Sequence, residues 1–136
     1  MARRLTDFTS LWDLIVQRVE DTPGGRFVID EDGRTLTFAE YRDSCERAAA
    51  ALAARGIGEG DVVSWQLPTW IESMVLVGGL ARLGAVQNPI LPIYRDREVG
   101  FVVREAGTKL LVVPGEWRGF NFAAMAEAIA AAAPGL

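Results

Sequence analysis

Two hydrophobic periods alternate along the chain. Leu11, Leu14, Ile15 and Val19 recur at helical spacing behind Thr9 and Ser10, which offer N-caps, and Thr22-Pro23-Gly24-Gly25 stops the helix. Arg26–Asp30 and Arg34–Thr37 are short strand-like runs around Glu31-Asp32-Gly33, which predicts a hairpin. Thr37 and Glu40 have capping-box spacing, so a helix runs from there to Arg55 with Phe38, Tyr41, Cys45, Ala48, Ala49 and Leu52 as its apolar stripe. Gly56 supplies its left-handed stop. A turn at Gly58-Glu59-Gly60-Asp61 leads to a strand over 62–66. Thr69 and Glu72 repeat the capping-box spacing and open a helix through Leu83 that is apolar on most sides, hence buried.

Beyond Gly84 the pattern repeats. Ala85–Asn88 reads as a strand, and Pro89 and Pro92 make the next connection extended and irregular. Asp96 can cap a helix to about Ala106. Lys109–Val113 is a near-continuous apolar run, the pattern of a strand covered on both faces. Pro114–Asn121 reads as loop, and Phe122–Ala133 as an Ala-rich helix with Phe122, Met125 and Ile129 on one side. Strand and helix alternation of this kind predicts an α/β fold, a mostly parallel sheet built through βαβ crossovers plus an N-terminal β-hairpin.

Composition narrows the chemistry. The chain has 136 residues, is 50% hydrophobic and 24% charged, and carries a net charge of −4. That is a globular composition, long enough for a real core. Its longest apolar runs are broken by Gly, Pro or charge, so no transmembrane span is expected, and Met1–Asp7 has no apolar stretch behind its arginines, so a secretory signal is not expected. Basic residues are scattered, which gives no nucleic-acid footprint. Histidine is absent and Cys45 stands alone, which excludes a Ser-His-Asp or Cys-His site, a His metal ligand and an intramolecular disulfide within this chain. Neither G-x-G-x-x-G nor G-x-x-x-x-G-K-[ST] occurs. Gly56-Ile57-Gly58-Glu59-Gly60 follows a helix and precedes a strand, the reverse of a dinucleotide loop, and reads as a helix stop and turn.

Read together, several segments resemble the N-terminal part of adenylate-forming (AMP-binding) acyl-CoA synthetases. They are Thr37-Phe38-Ala39-Glu40-Tyr41; Gly56 to Val63; Gln66-Leu67-Pro68-Thr69-Trp70-Ile71-Glu72; Gly79 to Val86; Asn88-Pro89 with Tyr94 and Glu98-Val99; and Glu105 to Val113. All stand in the family's order. Thr69 replaces the family's usual Asn, and Gly107-Thr108 alters its Ser-x-Ala-like spacing. The stretch Glu116–Phe122 with Met125-Ala126-Glu127 resembles cyclohexanecarboxylate-CoA ligases in particular.

The resemblance implies a two-step reaction. A carboxylate attacks the α-phosphate of ATP to give an acyl-adenylate and pyrophosphate, and the CoA thiol then displaces AMP, with Mg²⁺ assisting. It also implies that residues 1–136 are a single incomplete N-terminal subdomain, 1–25 being its N-terminal helix and connection, in a cytoplasmic enzyme. The family's phosphate loop, adenine-binding segment, ribose-binding Asp, hinge and catalytic Lys have no counterpart here. No catalytic or metal residue is therefore assigned, no cofactor is expected on this chain alone, and the partner is the remainder of a synthetase, with a small carboxylic acid and CoA as the parent's substrates. Arg95 and Arg97 are candidate CoA phosphate contacts, set against a solvated helix start with Asp96 and Glu98 paired locally.

Other residues invite blander readings. Trp65, Trp70 and Trp117 fit an acyl pocket or, more commonly, a core. Lys109 fits an ordinary strand-edge lysine, Cys45 a packed inert thiol, and Asp61 a turn fixed through backbone bonds. Two rival readings share the α/β pattern: a free-standing interaction module that pairs with a ligase, and a flavodoxin-like nucleotide-binding domain, which lacks its Gly-rich loop here. If residues 1–136 belong to a larger fold, they leave apolar surface uncovered, so the chain should form a homodimer or light up a hydrophobic dye; a strictly monomeric, dye-silent chain that unfolds cooperatively would contradict this.

Overall fold

A reciprocal cap starts the first helix. Asp13 N–H donates to the Ser10 hydroxyl at 3.1 Å, and the Asp13 carboxylate accepts from Ser10 N–H at 3.1 Å and from the Thr9 hydroxyl at 2.7 Å. The computed structural model describes Arg4 and residues 7–136, so the expectation drawn from the first residues lies, for 1–3, 5 and 6, outside the described residues. The chain divides into two compact units, Met1–Gly56 with Trp70–Gly84, and Ile57–Thr69 with Ala85–Leu136.

The first unit contains α1 (Leu11–Asp21), the hairpin strands β1 (Arg26–Ile29) and β2 (Thr35–Thr37), α2 (Phe38–Ala54) and α3 (Ile71–Leu83). The hairpin is antiparallel with a register shift between Arg26 and Val28. Asp30 organises its turn, accepting from Asp32 N–H, Arg34 N–H and the Arg34 side chain. The predicted capping box at α2 is present: Glu40 N–H donates to Thr37 at 3.2 Å, and Thr37 N–H to the Glu40 carboxylate at 2.8 Å.

The second predicted box is not. The α3 helix starts with Trp70 at the cap position and no side-chain cap bond, which makes Glu72 its second residue instead of its third. Glu72 instead pairs with Arg34 at 2.8 Å, and Arg34 also holds Asp30. A competing cation thus overrides the local spacing.

The core of this unit gathers Ile15, Tyr41 and Cys45, with Trp12, Phe27, Leu36, Met74 and Val75 packed around them. Phe27 stacks on Tyr41 with centroids 4.0 Å apart, and the Tyr41 hydroxyl donates to Met74 O at 2.9 Å. Gly78 and Gly79 explain why α2 and α3 approach so closely. A Cβ at Gly78 would collide with Cys45 Sγ and the Tyr41 hydroxyl, and one at Gly79 would press on Ala48 and Ala49. Cys45 is fully buried, and burial pushes its thiol up to about 11, which fits the inert reading.

The second unit holds β3 (Val62–Trp65), β4 (Val86–Pro89), α4 (Asp96–Glu105), β5 (Leu110–Val112), β6 (Glu116–Trp117), β7 (Phe120–Asn121) and α5 (Phe122–Ala132). Its sheet is parallel with order β4-β3-β5, and in chain order the crossovers carry α3 and α4. Val63 and Ser64 on the central strand are fully buried. β5 lies at an edge and is half-buried throughout, so the apolar run Lys109–Val113 is not doubly covered as its composition suggested. Arg95, not Asp96, is the cap residue of α4; Asp96 is its first helical residue, and the Glu98 carboxylate accepts from Arg95 N–H at 3.3 Å.

The predicted loop 114–121 contains a tight antiparallel hairpin, with Glu116 opposite Asn121. Arg118 and Gly119 turn it with φ of +50° and +73°, a pair of left-handed residues that suits a two-residue turn. Asn121 then caps α5 by accepting from Ala124 N–H. Ile90, Val99, Val103, Phe122, Met125 and Ile129 form this unit's core.

Gly78→Ala should lower stability by up to about 2 kcal/mol, the overpacking cost of about 1–3 kcal/mol less a helix-propensity gain of about 1 kcal/mol. Urea midpoints measure it, and Cys45→Ala in the same chain should recover part of the loss; a stabilised Gly78→Ala would contradict the packing.

Candidate functional site

In an open parallel sheet, ligands bind beyond the carboxyl ends of the strands. Here those ends are Trp65-Gln66 after β3, Pro89 and the connection to α4, and Val112-Val113. Gln66, fully buried, reaches from β3 to the connection: its Nε2 donates to Leu91 O at 2.9 Å and Tyr94 O at 3.0 Å. Ile90 N–H donates to Trp65 O at 2.8 Å, and Tyr94 N–H closes a turn onto Leu91 O at 3.2 Å. Gln66 was legible in the sequence only as a strand residue; a long amide side chain ending a buried strand was the available signal.

Arg95 holds the same connection from its far end. Its Nη1 donates to Pro92 O at 2.8 Å and Tyr94 O at 2.9 Å, while the guanidinium lies over Phe120 at 4.1 Å and Phe122 at 5.5 Å from the ring centroids. Planarity suits Arg to this double role of stacking and carbonyl binding. Arg97, the second residue of α4, is exposed. The structure thus separates the two candidate arginines, one folded onto its own loop and one open.

The remaining candidates scatter. Lys109 Nζ donates to the Asp61 carboxylate at 2.9 Å, and the same carboxylate accepts from Gly58 N–H at 2.8 Å. Lys109 and then Gly58 hold the Asp61 carboxyl below the usual range. Both residues precede their strands, at the amino end of the sheet. Trp65 is half-buried, its indole N–H buried with no partner among the described residues. Trp117 packs at the edge of the α4–α5 core, under Arg118 at 4.5 Å. Trp70 belongs to the first unit, at the start of α3. A shallow groove of about 380 Å³ on α1 is lined by Asp7, Phe8, Trp12, Asp13, Val16, Gln17 and Glu20, and none of the three candidate tryptophans lines it.

Among the described residues, no three or more Asp, Glu or Cys side chains cluster closely enough to hold a metal ion, and the carboxylates singled out so far are already engaged. Asp13 and Glu40 close capping boxes, Asp61 pairs with Lys109, and Asp30 and Glu72 share Arg34. At the start of α4 the Glu98 carboxylate already takes the backbone N–H that an anion would use. Of the groups able to meet a CoA phosphate, Arg97 alone among the two candidates is exposed.

A family model described as "AMP-binding enzyme" matches residues 15–135. The chain is 30% identical over 105 residues to the medium-chain fatty-acid–CoA ligase of Escherichia coli (strain K12), a match covering 77% of this chain and 19% of that one. The fold matches the N-terminal domain of FACL13 from Mycobacterium tuberculosis with a TM-score of 0.75 at 28% identity, covering 78% of this chain and 27% of that one. It also matches the anthranilate CoA ligase AuaEII in complex with anthranoyl-AMP with a TM-score of 0.85 at 20% identity, covering 98% and 25%, a likeness of fold alone. The chain spans about a fifth of the length of the curated relatives it matches.

The Asp61–Lys109 pair has a pH signature. A carboxyl depressed in the fold contributes stability above its unfolded pKa and loses it as pH falls through the folded value. Lys109→Met should therefore unfold at lower urea than wild type at pH 7, and the difference should vanish in acid once Asp61 is protonated. A difference that persists below that point would show that Lys109 acts through packing.

Proposed function

We propose, because the chain belongs to the AMP-binding enzyme family, that it forms the N-terminal part of an ATP-dependent acyl-CoA ligase and by itself forms no adenylate. The assembled enzyme would convert a small carboxylic acid to its acyl-CoA through an acyl-adenylate, using ATP, Mg²⁺ and CoA. The observation that carries this reading is the family-model match over 15–135, together with matches to relatives about five times as long as this chain. The local chemistry supports the second half of it: the carboxylates of Asp13, Glu40 and Asp61 and the guanidinium of Arg95 are already engaged in caps, turns and loop carbonyls.

The contribution of this segment is then scaffolding. It presents the carboxyl end of a parallel sheet, with Arg97 exposed beside it as a candidate contact to a CoA phosphate. A free-standing module that pairs with a separate ligase chain is the second reading, and the exposed apolar side chains Leu91, Ile93 and Tyr94 suit either.

Carboxylate-dependent exchange of pyrophosphate into ATP tests the reading. Residues 1–136 alone should give none above background across medium-chain and aromatic acids, whereas robust exchange by this chain would overturn it.

A further inference from the structure

Exposed connections are usually mobile and polar. The connection after β4 is apolar at its exposed positions and hydrogen-bonded along its backbone. Leu91, Ile93 and Tyr94 are 59%, 73% and 41% exposed, and Val86 on β4 is 50% exposed. Single exposed apolar residues are ordinary, but three within four positions form a patch. The backbone beneath them is tied down at Ile90 N, Leu91 O, Pro92 O, Tyr94 N and Tyr94 O.

Holding this loop has a cost. The amide orientation that lets Gln66 donate to Leu91 O and Tyr94 O leaves its own Oε1 buried with no partner among the described residues. Buried acceptors without donors are uncommon and unfavourable. The fold tolerates one while fixing a loop that is anchored in the core at Ile90 and carries exposed apolar side chains at Leu91, Ile93 and Tyr94. A rigid, exposed, apolar loop loses little conformational freedom when something packs on it, the property of a preorganised docking element.

We propose that residues 90–95 form a preformed apolar ridge onto which the remaining part of an acyl-CoA ligase packs, with Gln66 and Arg95 as the positioning residues that hold its shape. The occupant follows from length: the matched segments amount to 19% and 22% of the relatives, so most of the ligase fold lies outside this chain's counterpart. This inference rests on the ligase reading above.

The experiment compares amide hydrogen exchange in the 136-residue chain with exchange in a chimera where this chain replaces the matched segment of the Escherichia coli medium-chain ligase. Exchange over residues 86–95 should be at least tenfold slower in the chimera, without CoA and independently of concentration. Leu91→Asp with Ile93→Asp should remove that slowing, while the same pair in the isolated chain leaves β3 and α4 exchanging as in wild type. Gln66→Leu keeps the outward side chains and should shrink the slowing severalfold. Slowing that survives the Asp pair overturns the ridge. So does slowing that appears only when CoA is added, or concentration-dependent protection of 86–95 in the isolated chain, which would make a second copy the occupant. A chimera protected elsewhere but not at 86–95 overturns the ridge alone, and one with no protected residue in this segment overturns the ligase reading with it.

Discussion

A buried hydroxyl pair sets the parallel sheet. Ser64 on the central strand meets the Thr108 hydroxyl at 2.5 Å and accepts from the Asn88 side chain at 2.9 Å, so one polar knot joins β3 to β4 and to the entry of β5. Unlike apolar packing, such a network accepts one register only; a slip by one residue would turn each of these groups to the opposite face and leave it unsatisfied. With register fixed, Val63 pairs with Gln87 and Leu110, and the carboxyl ends of β3 and β4 finish side by side with Trp65 opposite Pro89. Everything at that end of the sheet inherits its place from this knot: the reach of Gln66, the path of the connection and the start of α4.

Charge in this chain serves mainly to finish secondary structure. Asp13, Glu40 and Glu98 each satisfy an orphan N–H at a helix start, as Asp30 and Asp61 do within turns. Arg34 bridges a hairpin turn to the first turn of α3, and Arg82 pairs with Glu46 while lying over Trp12. The conspicuous carboxylates and the guanidinium groups of Arg34, Arg82 and Arg95 thus have intramolecular partners.

The sequence made visible what is local and strongly periodic. The Thr37–Glu40 box, the hairpin around Gly33, the stop at Gly56 and the buried side of α5 could all be read because one turn of chain determines each of them. What escaped depended on distant partners. Glu72 had the spacing of a cap, but Arg34 lies far from it in sequence and claims its carboxylate. Gly78 and Gly79 sat unremarked among apolar residues, since their reason is the closeness of α2. The hairpin over 116–121 was hidden because strands of two residues carry no period, and its turn relies on a non-glycine residue, Arg118, in the left-handed region. At the candidate site, Arg95 and Arg97 were recognisable as a pair of cations, whereas their division into a loop clamp and an open side chain depends on Phe120 and Phe122 across the fold.

Pro89 carries one more consequence. Val86 and Ile90 direct their N–H groups toward β3, so the intervening odd positions of β4 face the outer edge of the sheet. At Pro89 that edge has no N–H to give. A strand laid alongside would lose a rung of its ladder just where the exposed side chains begin, which discourages fibril-like stacking of copies edge to edge. A partner at this margin finds one backbone donor fewer at Pro89 and exposed apolar side chains immediately beyond it, so the imino acid that ends the strand favours contact through side chains over a shared ladder.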